Sequence, residues 1–233
     1  MSSRFTPNFK IDGNTMLTPE ILYLDNHVLV AYKPAGMITQ PNESDQLSLE
    51  EWAKQQVKER FNKPGAVFLH ALHRLDKPVS GLVLFARTSK ALSRLNVSMR
   101  SKKTSKIYLA KVEGAPKPSE GVLEHYLLHG DHRAELSTKQ NPAAKLARLH
   151  YRTFKSDSKH TWLEIELDTG RYHQIRIQLS TIGHPIVGDL RYGSKEALPG
   201  GIIALQHSCF EFPHPISGEM IKVEVKEENS KFC

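Results

Sequence analysis

Between positions 20 and 33 the chain reads Glu-Ile-Leu-Tyr-Leu-Asp-Asn-His-Val-Leu-Val-Ala-Tyr-Lys, two apolar runs of strand length split by Asp25-Asn26 and closed by Pro34 and Gly36. That pattern predicts a β-hairpin. Ser48-Leu-Glu-Glu51 is a capping-box signature, and Trp52, Ala53, Val57 and Phe61 follow at helical spacing. Positions 48–61 are therefore expected to form a helix whose apolar face enters the core. Strand-like runs recur at 81–87, 106–113, 146–154, 161–167 and 220–226, while Leu92, Leu95 and Met99 predict a helix over 89–100. The stretch 173–182 fits both periods, because Ile175, Ile177 and Leu179 alternate while Ile175, Leu179 and Ile182 share a helical face. Gly183 directly after it favours the helix. Mixed α and β structure follows.

No internal repeat or low-complexity segment breaks the chain, so its 233 residues are read as one domain with no boundary drawn. The longest apolar runs, such as 81–86, stop far short of the roughly 20 residues a bilayer helix needs, and the polar start Met1-Ser-Ser-Arg4 lacks a secretory apolar region. A cytoplasmic protein is expected. Two cysteines, Cys209 and Cys233, with no CxxC pair, make a disulfide frame or a zinc cluster unexpected. The 32 Lys and Arg against 25 Asp and Glu leave a net charge of +7. Such an excess suits a polyanionic partner, although it also serves solubility.

The stretch richest in chemistry is His73-Arg-Leu-Asp-Lys-Pro-Val-Ser-Gly81, a carboxylate between two cations in a Pro/Gly-punctuated loop leading into a strand. Loops carried by rigid strands often hold catalytic groups. The neighbours Arg74 and Lys77 favour an ionised Asp76, a nucleophile or base at neutral pH. On these residues alone, a surface ion pair or a turn-forming Asp explains the loop better than catalysis does.

Four ordered blocks change that balance. His73-Arg74-Leu75-Asp76 with Ser80-Gly81 resembles the active-site motif of RNA pseudouridine synthases of the RluA family. Lys33-Pro34-Ala35-Gly36 resembles that family's N-terminal loop, and Lys106-Ile-Tyr108-Leu-Ala110 its tyrosine strand. Thr169-Gly-Arg-Tyr-His-Gln-Ile-Arg176, continuing to Gly183-His-Pro-Ile-Val-Gly-Asp189, resembles its third block, and His207 with Phe212-Pro-His-Pro215 its ending. The resemblance covers about residues 20–225. It implies an α+β fold: a single pseudouridine-synthase-like catalytic domain with a bent, mainly antiparallel mixed sheet, flanking helices and a central RNA-binding cleft. It also places the chain in the short branch that lacks an S4 domain. Val79 and Tyr172 depart from the commonest residues without touching the chemistry.

The implied reaction isomerises uridine within structured ribosomal RNA or tRNA: the N1–C1′ bond breaks, the base turns, and C5 joins C1′. It calls for no cofactor and no metal. Asp76 would attack C1′ or abstract a ribose proton. The resemblance makes Arg176 its partner, as a bidentate guanidinium that aims its oxygen. It makes Tyr108 a ring that stacks on the uracil near the departing C5 proton. Extruding the base costs a few kcal/mol, and Arg74 would fill the vacated place. Four cations in Arg100-Ser-Lys-Lys-Thr-Ser-Lys106 are candidates for phosphate contacts, with Lys102, Lys103 and Lys106 chosen. Lys33 supports the loop or touches RNA; His173 and His184 are expected to pack loops. The His125, His129, His132 spacing is read as a loop without metal partners. A monomer that binds neither DNA nor membrane is expected.

Two rivals remain. A non-catalytic RNA-binding protein would use the same basic cleft, but should have lost Asp76. A glycosidase would need a second carboxylate as acid, and the blocks suggest no matching one.

Overall fold

The computed structural model describes residues 18–43 and 45–225. Its strands are β1 (Glu20–Leu24), β2 (Val28–Lys33), β3 (His70–Ala71), β4 (Ser80–Ala86), β5 (Ser105–Glu113), β6 (Glu120–His129), β7 (Ala134–Ser137), β8 (Lys145–Ser156), β9 (His160–Leu167), β10 (Leu205–Pro213) and β11 (Met220–Glu224). The helices are α1 (Leu49–Arg60), α2 (Ser89–Arg100) and α3 (Gln174–Thr181). The strands join in one sheet of order β1-β2-β4-β10-β5-β9-β8-β6-β7, with β3 on β4 and β11 on β10. Among the described residues only the β4–β10 pair runs parallel, so the sheet is mixed and mainly antiparallel, as expected.

Strand β2 is buried at all six positions because both its faces are covered. Leu29 and Ala31, with Val83 and Phe85 of β4, face Leu49, Ala53 and Val57 of α1. Val28, Val30 and Tyr32, with Leu82 and Leu84, face Ala91 and Leu95 of α2. Alternation along two central strands thus feeds two cores, one under each helix.

The capping box forms as predicted, with the Glu51 amide donating to Ser48 Oγ at 3.2 Å and the Ser48 amide to Glu51 Oε2 at 3.0 Å. Phe61 departs from expectation. It falls on the C-cap, past the end of the core, and stays 45% exposed, with the Arg87 guanidinium 4.7 Å from its ring. The ambiguous stretch resolves as α3, ended by Gly183 at φ +84°. Lys226, the last position of the expected 220–226 strand, lies outside the described residues, as does Cys233.

Strands β3, β6, β7 and β10 escaped the sequence reading, and two of them show why. Residues 125–129, read as loop, belong to β6, where Val122 is exposed and Leu123 and Leu127 are buried. Polar residues between them hide the period. Strand β10 buries Gln206 and His207 completely, so two of its core positions carry no apolar signal.

The close β4–β10 approach needs a glycine. Gly81 has φ +121°, and a Cβ there would sit 2.3 Å from the His207 carbonyl oxygen. Only a residue without a side chain lets β10 run beside the loop that carries Asp76.

Candidate active site

The Asp76 loop is held from behind. Thr39 Oγ1 donates to the Leu75 carbonyl at 2.9 Å and accepts from the Leu75 amide at 3.1 Å. Lys33, fully buried, donates from Nζ to the carbonyls of Pro34, Met37 and Lys77 at 3.0, 2.7 and 3.3 Å. Of the two roles open to Lys33, loop support is the one its bonds describe. Burial pulls its pKa down to about 7, against the opposing pull of the Asp76 charge.

Asp76 stands in a cleft of about 1470 Å³, together with Arg74, Lys106, Tyr108, His173 and Arg176. Its Oδ2 accepts from Arg176 Nη1 at 3.0 Å and lies 3.3 Å from His173 Nε2. Oδ1 has no partner among the described residues, and the side chain is 28% exposed. One oxygen is anchored, and the other has no such anchor in a side chain that lines the cleft.

The bidentate pair expected between Arg176 and Asp76 goes elsewhere. Arg176 donates from Nε and Nη2 to the two oxygens of Asp189, at 2.7 and 2.9 Å, and offers Asp76 only Nη1. A guanidinium has one fork on that edge, and the buried Asp189, 1% exposed, occupies it. Burial lowers the Arg176 pKa, but the Asp189 and Asp76 carboxylates outweigh it and hold the group above its usual range. Nor do Arg74 and Lys77 pair with Asp76 as its sequence neighbours suggested. Both are exposed, and Arg74 has no ion-pair or hydrogen-bond partner among the described residues.

Tyr108, on β5, is buried to 7% exposure and stacks on His207, with ring centroids 4.6 Å apart at 15°. Burial and the nearby Asp76 charge push its hydroxyl pKa well above the usual value. His207 donates from Nδ1 to the Leu82 carbonyl at 2.7 Å, and burial lowers it to about 3. His73 packs edge-on against His207 and Phe210 and accepts the Leu84 amide at 3.3 Å. Burial likewise holds it neutral. The first residue of the His73–Asp76 motif therefore packs against His207, the ring on which the tyrosine stacks.

The basic loop divides. Lys106 lines the cleft and, with Lys102, an adjoining cavity of about 180 Å³. Burial lowers Lys106 to about 8. Lys103 is exposed and borders neither. The three spaced histidines have separate surroundings: His125 Nδ1 meets Gln178 Nε2 at 3.0 Å, His129 abuts Tyr172, and His132 takes a positive φ in the turn before β7.

Three residues at the site went unassigned from sequence: Asp189, Tyr192 and, as a neighbour of Asp76, His173. The only signal was their place in or just after the third block. Asp189 is also a second carboxylate in the blocks, but its oxygens are occupied by Arg176.

The RNA pseudouridylate synthase family model matches residues 27–181. An uncharacterised RNA pseudouridine synthase of Bacillus subtilis, YhcT, is 32% identical over 209 residues, covering 88% of this chain and 67% of its own length. Ribosomal large subunit pseudouridine synthase D of Pseudomonas aeruginosa is 34% identical over 220 residues, with the same two coverages. Human RNA pseudouridylate synthase domain containing 4 shares the fold at a TM-score of 0.74 and 22% identity, over 88% of this chain and 87% of its own. The chain belongs to the RNA pseudouridylate synthase family. Its activity class is accordingly that of an isomerase acting on RNA.

Proposed function

We propose that the protein isomerises uridine in structured RNA, with Asp76 as the catalytic carboxylate. The observation that carries this reading is the asymmetry of Asp76, which lines the cleft: Oδ2 is held by Arg176 while Oδ1 has no partner among the described residues. A nucleophile or base needs one oxygen oriented and the other open. A phosphate-binding cleft alone gains nothing from a carboxylate at its centre, which argues against the non-catalytic binder.

Tyr108 holds the uracil by stacking, and its raised pKa keeps the hydroxyl protonated beside the C5 position. Arg74, exposed at the cleft and without a partner among the described residues, takes the place of the extruded base. Lys102, Lys103 and Lys106 contact phosphates, Lys106 nearest to the reacting base. Relatives named for the large ribosomal subunit make ribosomal RNA the first substrate to test, ahead of tRNA.

Pseudouridine mapping in total RNA, from cells with and without the protein, tests the reading. At least one site should vanish with the protein and return with wild type but not with Asp76→Asn. An unchanged map would overturn it.

A further inference from the structure

His173 holds an unusual position for a residue outside the expected chemistry. It is the N-cap of α3, at φ +52°, a left-handed conformation that few non-glycine residues adopt, Asn, Asp and His more often than the rest. Its side chain is 4% exposed, its ring stacks on Tyr172 at 3.8 Å and 20°, and Tyr192 meets it edge-on at 5.6 Å. Nε2 lies 3.3 Å from Asp76 Oδ2, and Nδ1 lies 2.9 Å from the Tyr192 hydroxyl.

The hydrogen-bond chain assigns the proton. The Tyr192 oxygen accepts the Ala134 amide at 2.6 Å, so its own proton must go to His173 Nδ1 at 2.9 Å or to the Ala134 carbonyl at 3.5 Å. The shorter approach to the imidazole lone pair wins. Nδ1 is then an acceptor, and the ring proton of neutral His173 sits on Nε2, the nitrogen that lies 3.3 Å from Asp76 Oδ2. Burial, outweighing the attraction of Asp76, lowers His173 to about 4 and keeps it neutral at pH 7. Tyr192 supports the other anchor too, since its ring lies 5.0 Å from the Arg176 guanidinium carbon.

Building on the proposed role of Asp76, we propose that His173 is a positioning residue. Through Nε2–H, in the tautomer set by Tyr192, it fixes Asp76 Oδ2 together with Arg176, so that Oδ1 is presented to the ribose. The 3.3 Å contact is within hydrogen-bond distance but its N–H is not aligned on Oδ2, and a small rotation of the carboxylate or the ring turns it into a charge-assisted bond of about 2.8 Å. Two donors on one oxygen fix the carboxylate plane. One donor alone leaves it free to rotate about the Arg176 bond.

Two substitutions separate this role from a purely structural one. The amide nitrogen of glutamine reaches about as far as Nε2, whereas asparagine is short but suits the left-handed backbone. Positioning predicts that His173→Gln retains most of the single-turnover rate, while His173→Asn loses about 10- to 100-fold, as is typical when an orienting partner is removed. RNA affinity should be little changed in both. A structural role predicts the reverse order, Asn above Gln, with rate losses that follow melting temperature.

A second readout does not depend on turnover. Ring-nitrogen NMR of the wild type should show His173 protonated at Nε2 and bare at Nδ1, with Tyr192→Phe relaxing that preference. A proton on Nδ1, equal rates for the two variants, or Asn exceeding Gln would overturn the proposal. Failure of the wild type to form pseudouridine in any RNA would instead overturn the functional reading, with the tautomer still deciding whether His173 bonds to Asp76.

Discussion

Asp76 and Arg176 stand 100 positions apart in the chain and meet through a 3.0 Å bond from Nη1 to Oδ2. The guanidinium cannot swing away to follow its partner, because its other edge is locked on Asp189. Asp189 is thus the fixed end of a relay that runs through Arg176 to the open carboxylate.

Asp189→Asn should therefore destabilise the fold and slow the reaction together. Removing one partner of a buried pair typically costs about 3–5 kcal/mol; the remaining bond to Asp76 places the expectation at the lower end. Urea unfolding measures it, and an unchanged midpoint would show that Asp189 is no anchor.

Asp76→Asn should abolish pseudouridine formation while leaving RNA affinity largely intact, since the amide keeps the shape without the nucleophilicity or basicity. Single-turnover assays with filter binding check both halves. Substantial residual turnover would sink the assignment.

The paired change Lys102→Ala with Lys103→Ala should weaken cognate and unrelated RNA by similar factors, because phosphate contacts carry no sequence information. The slope of log K against log salt should flatten by roughly 0.7 to 0.9 for each phosphate no longer neutralised. A slope left intact, with altered sequence preference, would mean that the loop reads bases.

Arg74→Ala should harm a stem-loop substrate more than a short unstructured RNA containing the same uridine. In the stem-loop, removing the replacement stack raises the cost of extrusion by up to a few kcal/mol, and each 1.36 kcal/mol is about tenfold in rate. Equal fold-losses on the two RNAs would remove the extrusion role.

Acid should unfold the protein with proton uptake by the site's own histidines. His207 is lowered to about 3, His173 to about 4, and His73 also lies well below its ordinary value. Their unfolded values lie near 6.5. The neutral folded rings thus contribute stability that is fully present above that pH and is lost as pH falls toward the folded values. At pH 5 unfolding should place roughly two protons on His207 and His173, so stability should fall by about 2.7 kcal/mol per pH unit through these two rings, with His73 acting in the same direction. Calorimetric melts at pH 5 to 7 test this, and a flat profile would refute it.

The chain order of apolar runs, the Ser48–Glu51 box, and the Gly81 and Gly183 signals were enough to determine the hairpin, the three helices and most strands, because those signals are local. The resemblance of four ordered blocks to a known family likewise singled out Asp76, Tyr108 and Arg176, which line one cleft. Tertiary structure alone decided the rest. Strand β10 is hidden from hydropathy because Gln206 and His207 are buried by neighbouring strands rather than by their own apolarity. Which carboxylate receives the Arg176 fork depended on Asp189 lying 13 positions away on the far side of a helix end. The short loop around Asp76 points Arg74 and Lys77 outward, while distant Arg176 and His173 arrive from α3 and its N-cap. Sequence neighbours share a backbone, but an ion pair forms only where side chains converge, and that convergence is a property of the packed sheet.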